Sequence, residues 1–127
     1  MPLVHIHLQQ GKSAEYRNAI SDVVYDTTIA VLNVPRDNRF HVISEHSSTN
    51  LLIDPNYYGI HRTESAIIIQ ITLNEGRATR ELKKAYYKAL ADGLHERVGL
   101  RREDVFINLV EVKKENWSLG NGQAQYA

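Results

Sequence analysis

Residues 2–13, PLVHIHLQQGKS, set the plan of the chain. Val4, Ile6 and Leu8 alternate with Leu3, His5 and His7, the period of two that marks a strand with two unlike faces. Gln9, Gln10, Gly11 and Lys12 break the alternation, and the Ser13 hydroxyl suits a helix N-cap, so a helix is expected from there. The same succession returns at residues 66–79, AIIIQITLNEGRAT, with an apolar strand, a Gly-basic turn and Thr79 as the cap. Gly11 and Gly76 are 65 positions apart, as are Lys12 and Arg77, while Val34 and Leu100, and Glu45 and Glu111, are both offset by 66. The pattern reads as one unit used twice: strand, turn, long helix, short loop, strand.

Working outward, Ile20, Val23, Val24, Thr27 and Val31 fall at helical spacing, which predicts a first helix buried on one side. Pro35 restricts Val34 and cannot continue the ladder, so the helix should stop near Asn33. Phe40 to Glu45 reads as a second strand, and a loop rich in Ser, Asn, Asp and Gly follows from about residue 46 to 64. Ala66 to Leu73 is apolar on both faces and should be central. A second amphipathic helix begins at Thr79, carries Leu82, Ala85, Tyr86, Ala89, Leu90 and Leu94 on its apolar stripe, and ends near Gly99. Val105 to Val112 is the fourth strand, and a tail with Trp117, Gly120 and Gly122 closes the chain. A strand–helix–strand unit favours a parallel pair joined by a right-handed crossover. Two such units predict an α+β fold with a four-stranded mixed sheet and both helices on one face. The expected organisation is a single domain over 1–127, with repeat one at about 2–46, a connecting loop at about 46–64, repeat two at about 65–112 and a tail at 113–127. Two helices leave one sheet face open. Ile43, Ile68 and Leu109 are expected to point that way, and a contiguous apolar face of this kind calls for other subunits to bury it.

Composition narrows the function. The 127 residues carry 15 basic and 15 acidic side chains, so no net field draws nucleic acid or an anionic membrane. Cysteine is absent, which removes disulfides, thiol nucleophiles and thiolate metal sites. No stretch approaches the ~20 apolar residues that span a bilayer, and a cytoplasmic protein is expected. Tyr57, Tyr58, Tyr86 and Tyr87 have no basic patch beside them, so stacking on nucleic acid is not predicted, and Tyr57 and Tyr58 are expected in a loop over a pocket. His5 and His7 alternate on one strand face and have His41 and Glu45 as conceivable partners, but the spacing matches no ligand motif. No metal and no cofactor are expected.

One group is chemically unusual. If Met1 is removed, Pro2 presents a secondary α-amine at the head of an apolar strand. Such amines titrate near ~8 against ~10.4 for lysine, so modest burial leaves one uncharged and basic at neutral pH, a candidate general base. Proline is also tolerated at the first position of a strand, where its missing N–H breaks no ladder, so Pro2 alone favours this structural reading.

Five stretches together decide it: PLVHIHLQQGKS, VPRDNRF (34–40), ITLNEGR (71–77), YYKAL (86–90) and WSLGNG (117–122). They resemble the tautomerase superfamily, most nearly its malonate semialdehyde decarboxylase branch, over almost the whole length. The resemblance implies a homotrimer of duplicated units, an amino-terminal proline acting as base and acid in a small pocket, and arginines that hold a carboxylate-bearing substrate. Pro2 matches the catalytic proline and Arg77 one of two arginines that follow the third strand. The other falls on Glu75. The branch's acidic residue before the arginine of VPxxxR falls on Asn38, with Asp37 one step earlier. A carboxylate in place of a cation reverses the local field on an anionic substrate, so the departures favour keto-enol tautomerisation of a small 2-oxo acid over decarboxylation. Pro2 and Arg77 are then the expected catalytic residues, and Asn38, Asp37 and Lys12, the counterpart of Arg77 in the first repeat, the expected substrate-binding ones. The alternatives are a decarboxylase or hydratase like that branch, and a non-enzymatic binding protein on the same scaffold.

Overall fold

The computed structural model describes residues 2–127; the expected removal of Met1 lies outside the described residues. The elements run β1 (Leu3–Gln9), α1 (Ala14–Leu32), β2 (His41–His46), β3 (Ile67–Asn74), α2 (Arg80–Val98) and β4 (Val105–Val112), with short 3-10 turns at Tyr57–Gly59, Arg102–Asp104 and Lys114–Asn116. The strands form one sheet in the order β2-β1-β3-β4. β1 and β2 are parallel, β3 and β4 are parallel, and the two pairs meet antiparallel at β1 and β3. This is the mixed sheet with two helices on one face that the repeat predicts.

Local chemistry sets the helix ends. Ser13 Oγ accepts from the Tyr16 amide at 3.1 Å and Thr79 Oγ1 from the Leu82 amide at 3.1 Å, each satisfying one of the donors a first turn leaves orphaned. Asn33 (φ 54°) and Gly99 (φ 81°) close the helices in the left-handed conformation, which asparagine and glycine adopt at least cost. The helices pack closely where α2 has Gly93, since a Cβ there would meet Val23 Cγ1 at 3.0 Å.

The core lies between sheet and helices. Val4, Ile6, Leu8, Ile67, Ile69, Ile71 and Leu73 face Ile20, Val23, Val24, Leu32, Tyr86, Leu90 and Leu94, all buried. Full burial of each such aliphatic side chain stabilises by roughly 1.5–3 kcal/mol. On α1 the buried line runs Ile20, Val24, Thr28, Leu32, whereas Thr27 and Val31, expected on it, are only partly buried; on α2, Ala85 is exposed. Thr28 joins the core because its hydroxyl is satisfied twice, at 2.6 Å from both the Val24 carbonyl and the Tyr86 hydroxyl. Burial pushes the Tyr86 phenol up to about 12, so it stays a neutral hydrogen-bonding group.

The open sheet face corrects the sequence reading. Ile6 stands opposite Ile43 and Ile69, and Ile71 opposite Leu109, so Ile43 and Leu109 belong to the helix side and only Ile68 of the expected three points outward. β2 and β4 carry apolar residues on both faces, and cross-strand register alone assigns them. The outward side bears Leu3, Val42, Ile68 and Phe106, with Val42 45% and Phe106 44% exposed. It also carries His5, His7 and His46, with His7 Nδ1 2.9 Å from His46 Nε2 and the ring of His5 stacked on that of His7. Burial first, then the charges of His46 and His5, lowers the pKa of His7. His41 and Glu45 lie on the other face, so the sheet itself separates them from His5 and His7 as metal partners.

The long loop crosses the end of the sheet where β1 finishes and β3 begins. It is tied down by Thr63, whose amide and hydroxyl donate to the buried Asp104 carboxylate at 2.7 and 2.5 Å. Tyr57 and Tyr58 are 67% and 86% exposed, and Tyr57 borders a recess with Leu52, Ile68 and Phe106 at the end of the subunit away from Pro2.

His41 generates a pH dependence. Its Nδ1 is 2.7 Å from Ser21 Oγ on α1, and burial, reinforced by Arg39 and opposed by Asp22, lowers its pKa from 6.5 to about 4. Between those values the unfolded chain binds the proton and the folded chain does not, so stability falls as pH drops through 6.5 toward about 4 and levels off below. Urea unfolding across this range should show the decline, and His41→Gln should flatten it. An equally steep decline in the variant would assign the effect to other groups.

Candidate active site

At the opposite end of the sheet the starts of β1 and β2 meet the ends of β3 and β4. Pro2 is buried there. Leu3 pairs with Thr72, so Pro2, one step earlier, stands opposite Leu73 and beside Asn74. The Val4 amide donates to the Phe40 carbonyl at 2.9 Å, which brings the segment between α1 and β2 against the same strand head.

That segment is pinned to α1. The Asp37 amide donates to the Tyr25 hydroxyl at 2.8 Å, and Arg39 pairs with Asp22 at 2.7 Å while lying 4.1 Å over the Tyr25 ring. Asp37 takes a left-handed backbone (φ 63°), a conformation that aspartate tolerates better than most side chains. Asp37 and Asn38 are thereby held along a cleft of about 510 Å³, a size in the range of small-ligand sites. Asn74, Arg77, Lys114 and Tyr126 line it as well.

Arg77 follows the turn at Gly76 (φ 76°) and reaches back to α1, where its Nη2 donates to the carbonyls of Leu32 at 3.4 Å and Asn33 at 3.2 Å. The last carbonyls of a helix are unpaired and carry a partial negative charge, so a cation there is favourable by roughly 0.3–1 kcal/mol. One edge of the guanidinium is committed to this contact, which fixes its plane relative to the cleft. A smaller apolar recess of about 130 Å³, lined by Leu3, Phe40, Trp117, Ser118 and Leu119, shares Phe40 and Leu119 with the cleft. Asn74 and Leu3, which flank Pro2, belong one to each.

Lys12 is not part of this arrangement within a subunit. It sits beyond the far end of β1, on a small recess that Leu8 and Tyr16 also line, its ammonium 5.3 Å from the Tyr16 ring centroid. The physical reason is direction: the turns of the two repeats follow β1 and β3, these strands are antiparallel, and equivalent turns therefore lie at opposite ends, roughly 23 Å of strand apart. The cleft at that other end, about 390 Å³ between Gln9, Leu51, Arg62 and Glu64, is remote from Pro2.

Sequence reasoning brought Pro2, Asp37, Asn38 and Arg77 to one end and missed Asn74, Lys114 and Tyr126. The tryptophan of WSLGNG was the available signal, because an indole N–H seeks a partner when partly buried. It finds one: Trp117 Nε1 donates to the buried Asn74 Oδ1 at 2.6 Å and so fastens the tail beside the end of β3.

Two tautomerase enzyme families match the chain, one over residues 38–120 and one over residues 2–60. The probable tautomerase YusQ of Bacillus subtilis (strain 168) is 41% identical, covering 98% of this chain and 98% of the relative. FG41 malonate semialdehyde decarboxylase, in a crystal structure inhibited by 3-bromopropiolate, is 33% identical and superposes with a TM-score of 0.90 over 98% of this chain and 93% of that one. A fused 4-OT protein described as a symmetric trimer shares the fold, with a TM-score of 0.78 at 21% identity over 98% and 97% of the two chains.

The Trp117–Asn74 bond predicts a measurable cost. Trp117→Phe keeps the ring but leaves the Asn74 oxygen buried without its donor, which costs about 1–3 kcal/mol. Urea unfolding should show a loss of that size; a loss near zero would mean that the tail is held by packing alone.

Proposed function

The chain belongs to the tautomerase family, and from that premise we propose that it catalyses keto-enol tautomerisation of a small 2-oxo acid, with the Pro2 nitrogen as general base and acid. The observation that supports this most is the burial of Pro2 at the head of β1, at the end of the sheet where Asn74 and Arg77 line a polar cleft and Leu3 an apolar recess. With Met1 removed, the Pro2 nitrogen is a secondary amine at that end of the sheet. In the ketonising direction its lone pair takes the enol hydroxyl proton. The C2–O bond becomes a carbonyl as the C2–C3 double bond takes that proton from the nitrogen onto C3, which returns the amine to its starting state. The enolate charge that develops on the way needs fixed donors, and Arg77 has N–H groups beyond the one bound to α1, with the Asn38 amide on the same cleft. The substrate class rests on the cations of this cleft.

Decarboxylation is the second reading, favoured by the likeness to FG41 malonate semialdehyde decarboxylase. The turn before Arg77 weighs against it, since Glu75 stands there in place of that branch's second arginine and leaves the cleft without that cation. Release of carbon dioxide from malonate semialdehyde separates the two reactions.

The reading extends to assembly. A homotrimer in which the faces bearing Val42, Ile68 and Phe106 turn toward one another covers the apolar surface that the helices leave open. Sedimentation should give three times 14.5 kDa at micromolar concentration, and a stable monomer would remove the idea.

The central test is Pro2→Ala assayed with phenylpyruvate. It should lose on the order of a hundredfold or more in kcat, the usual worth of a positioned general base. Wild-type activity should rise with pH through an amine pKa below the ordinary ~8, since burial and a neighbouring cation both disfavour the charged form. Full activity in Pro2→Ala, or in protein that mass spectrometry shows to retain Met1, would overturn the mechanism.

A further inference from the structure

The charges around the cleft do not divide as the arginine alone suggests. Three formal charges line it: Arg77, Lys114 and Asp37. Arg77 spends part of its charge on the carbonyl end of α1, through bonds to Leu32 and Asn33, and the carboxylate of Asp37 offsets the remainder. Without Lys114 the cleft is formally neutral, and a carboxylate entering it gains little. With Lys114 the sum is one positive charge. Glu75, Lys113 and Glu115 neighbour these residues in sequence, but the cleft is not lined by them.

The position of Lys114 follows from the fold. β4 ends at Val112, opposite Asn74, and the Glu75 amide donates to the Val112 carbonyl at 2.8 Å, so the chain leaves the sheet alongside the turn that carries Arg77. A 3-10 turn over Lys114–Asn116 follows, and Trp117 then bonds Asn74, so Lys114 is bracketed by two attachments to the end of β3. Several basic groups are paired with acids, as Lys83 is with Glu111, Lys88 with Asp92 and Arg97 with Asp26, but among the described residues the cations of this cleft are not. Among the described residues Lys114 has no ion-pair partner. A flexible stem with a compact ammonium, held at the wall of a polar cleft and uncommitted, suits capture of a carboxylate from solution.

We infer that Lys114 is the carboxylate-binding and specificity-determining residue of this cleft, and that it selects singly charged 2-oxo acids over their neutral esters while Arg77 serves the oxygen at C2. The assignment rests on the tautomerase reading for its chemistry, and on the cleft alone for its binding. A cation that contacts the carboxylate equally in ground and transition states raises KM when removed and leaves kcat little changed, which is the signature that separates it from Pro2 and Arg77.

The test compares phenylpyruvate with its methyl ester. Lys114→Gln should raise KM for the acid about tenfold, the scale of one hydrogen bond to a charged group, and lower the acid-over-ester preference of kcat/KM by the same factor. Lys114→Arg should restore most of it, and Lys113→Gln, one residue away and outside the cleft, should leave it unchanged. The preference should also weaken with added salt in the wild type and do so less in Lys114→Gln. Should the wild type turn over neither compound, the tautomerase reading fails. The binding claim is then decided by titrating phenyllactate, a non-reacting 2-hydroxy acid, against the fluorescence of Trp117, the one tryptophan of the chain. Tenfold weaker binding to Lys114→Gln sustains the inference. An unchanged acid-over-ester preference, or unchanged phenyllactate binding, overturns it.

Discussion

The antiparallel meeting of β1 and β3 at the centre of the sheet is the constraint on which the rest of the structure depends. Each repeat makes a parallel pair, and parallel pairs can extend side by side in either relative direction. Because these run head to tail, the two Gly-basic turns separate to opposite ends, and so do the two strand heads. One end receives Pro2, the turn of Arg77, the carbonyl end of α1 and the tail. The other receives Lys12, the long loop and Asp104. Duplication of a sequence unit has thus produced two unequal ends, one of them built around an amino terminus.

The polar end is held by contacts between distant parts of the chain as well as within the first repeat. Arg77 from the second repeat completes the end of α1 from the first, and Asn74, on the last position of β3, takes the indole N–H of the tail. The segment carrying Asp37 and Asn38 is kept in place from α1 by Tyr25 and Arg39. The Trp117 bond satisfies the buried Asn74 oxygen, which would otherwise be penalised, while the more exposed bonds hold Arg77 and the Asp37–Asn38 segment beside the cleft. Stability and site geometry therefore share the same few residues here, so substitutions at them should not be read as purely catalytic without a stability measurement beside the kinetics.

The side away from the helices has a different character. Its Leu3, Val42, Ile68 and Phe106 are apolar, yet its centre carries His5, His7 and His46 in hydrogen-bonded and stacked contact. A histidine pair at 2.9 Å requires that one ring donate and the other accept, which neutral rings permit and two protonated rings do not.

What the sequence determined by itself was local or periodic. Ser13, Thr79 and Gly99 mark helix ends because capping depends on a few adjacent backbone groups, and the duplication was legible because both copies keep the same order of strand, turn and helix. The α+β class and the helices on one face follow from those signals. What only the tertiary structure decided was direction, register and long-range pairing. Ile43 and Leu109 turned to the core because cross-strand register, absent from either strand's own pattern, put them beside Ile6 and Ile71. Lys12 parted from Arg77 because equivalence in a repeat carries no information about which way the copies point. The bond from Trp117 to Asn74, which spans 43 positions, and the place it gives Lys114 beside Arg77 depend on where the chain returns after folding. No periodicity encodes that, since the contact exists only once the sheet has set both partners at the same end.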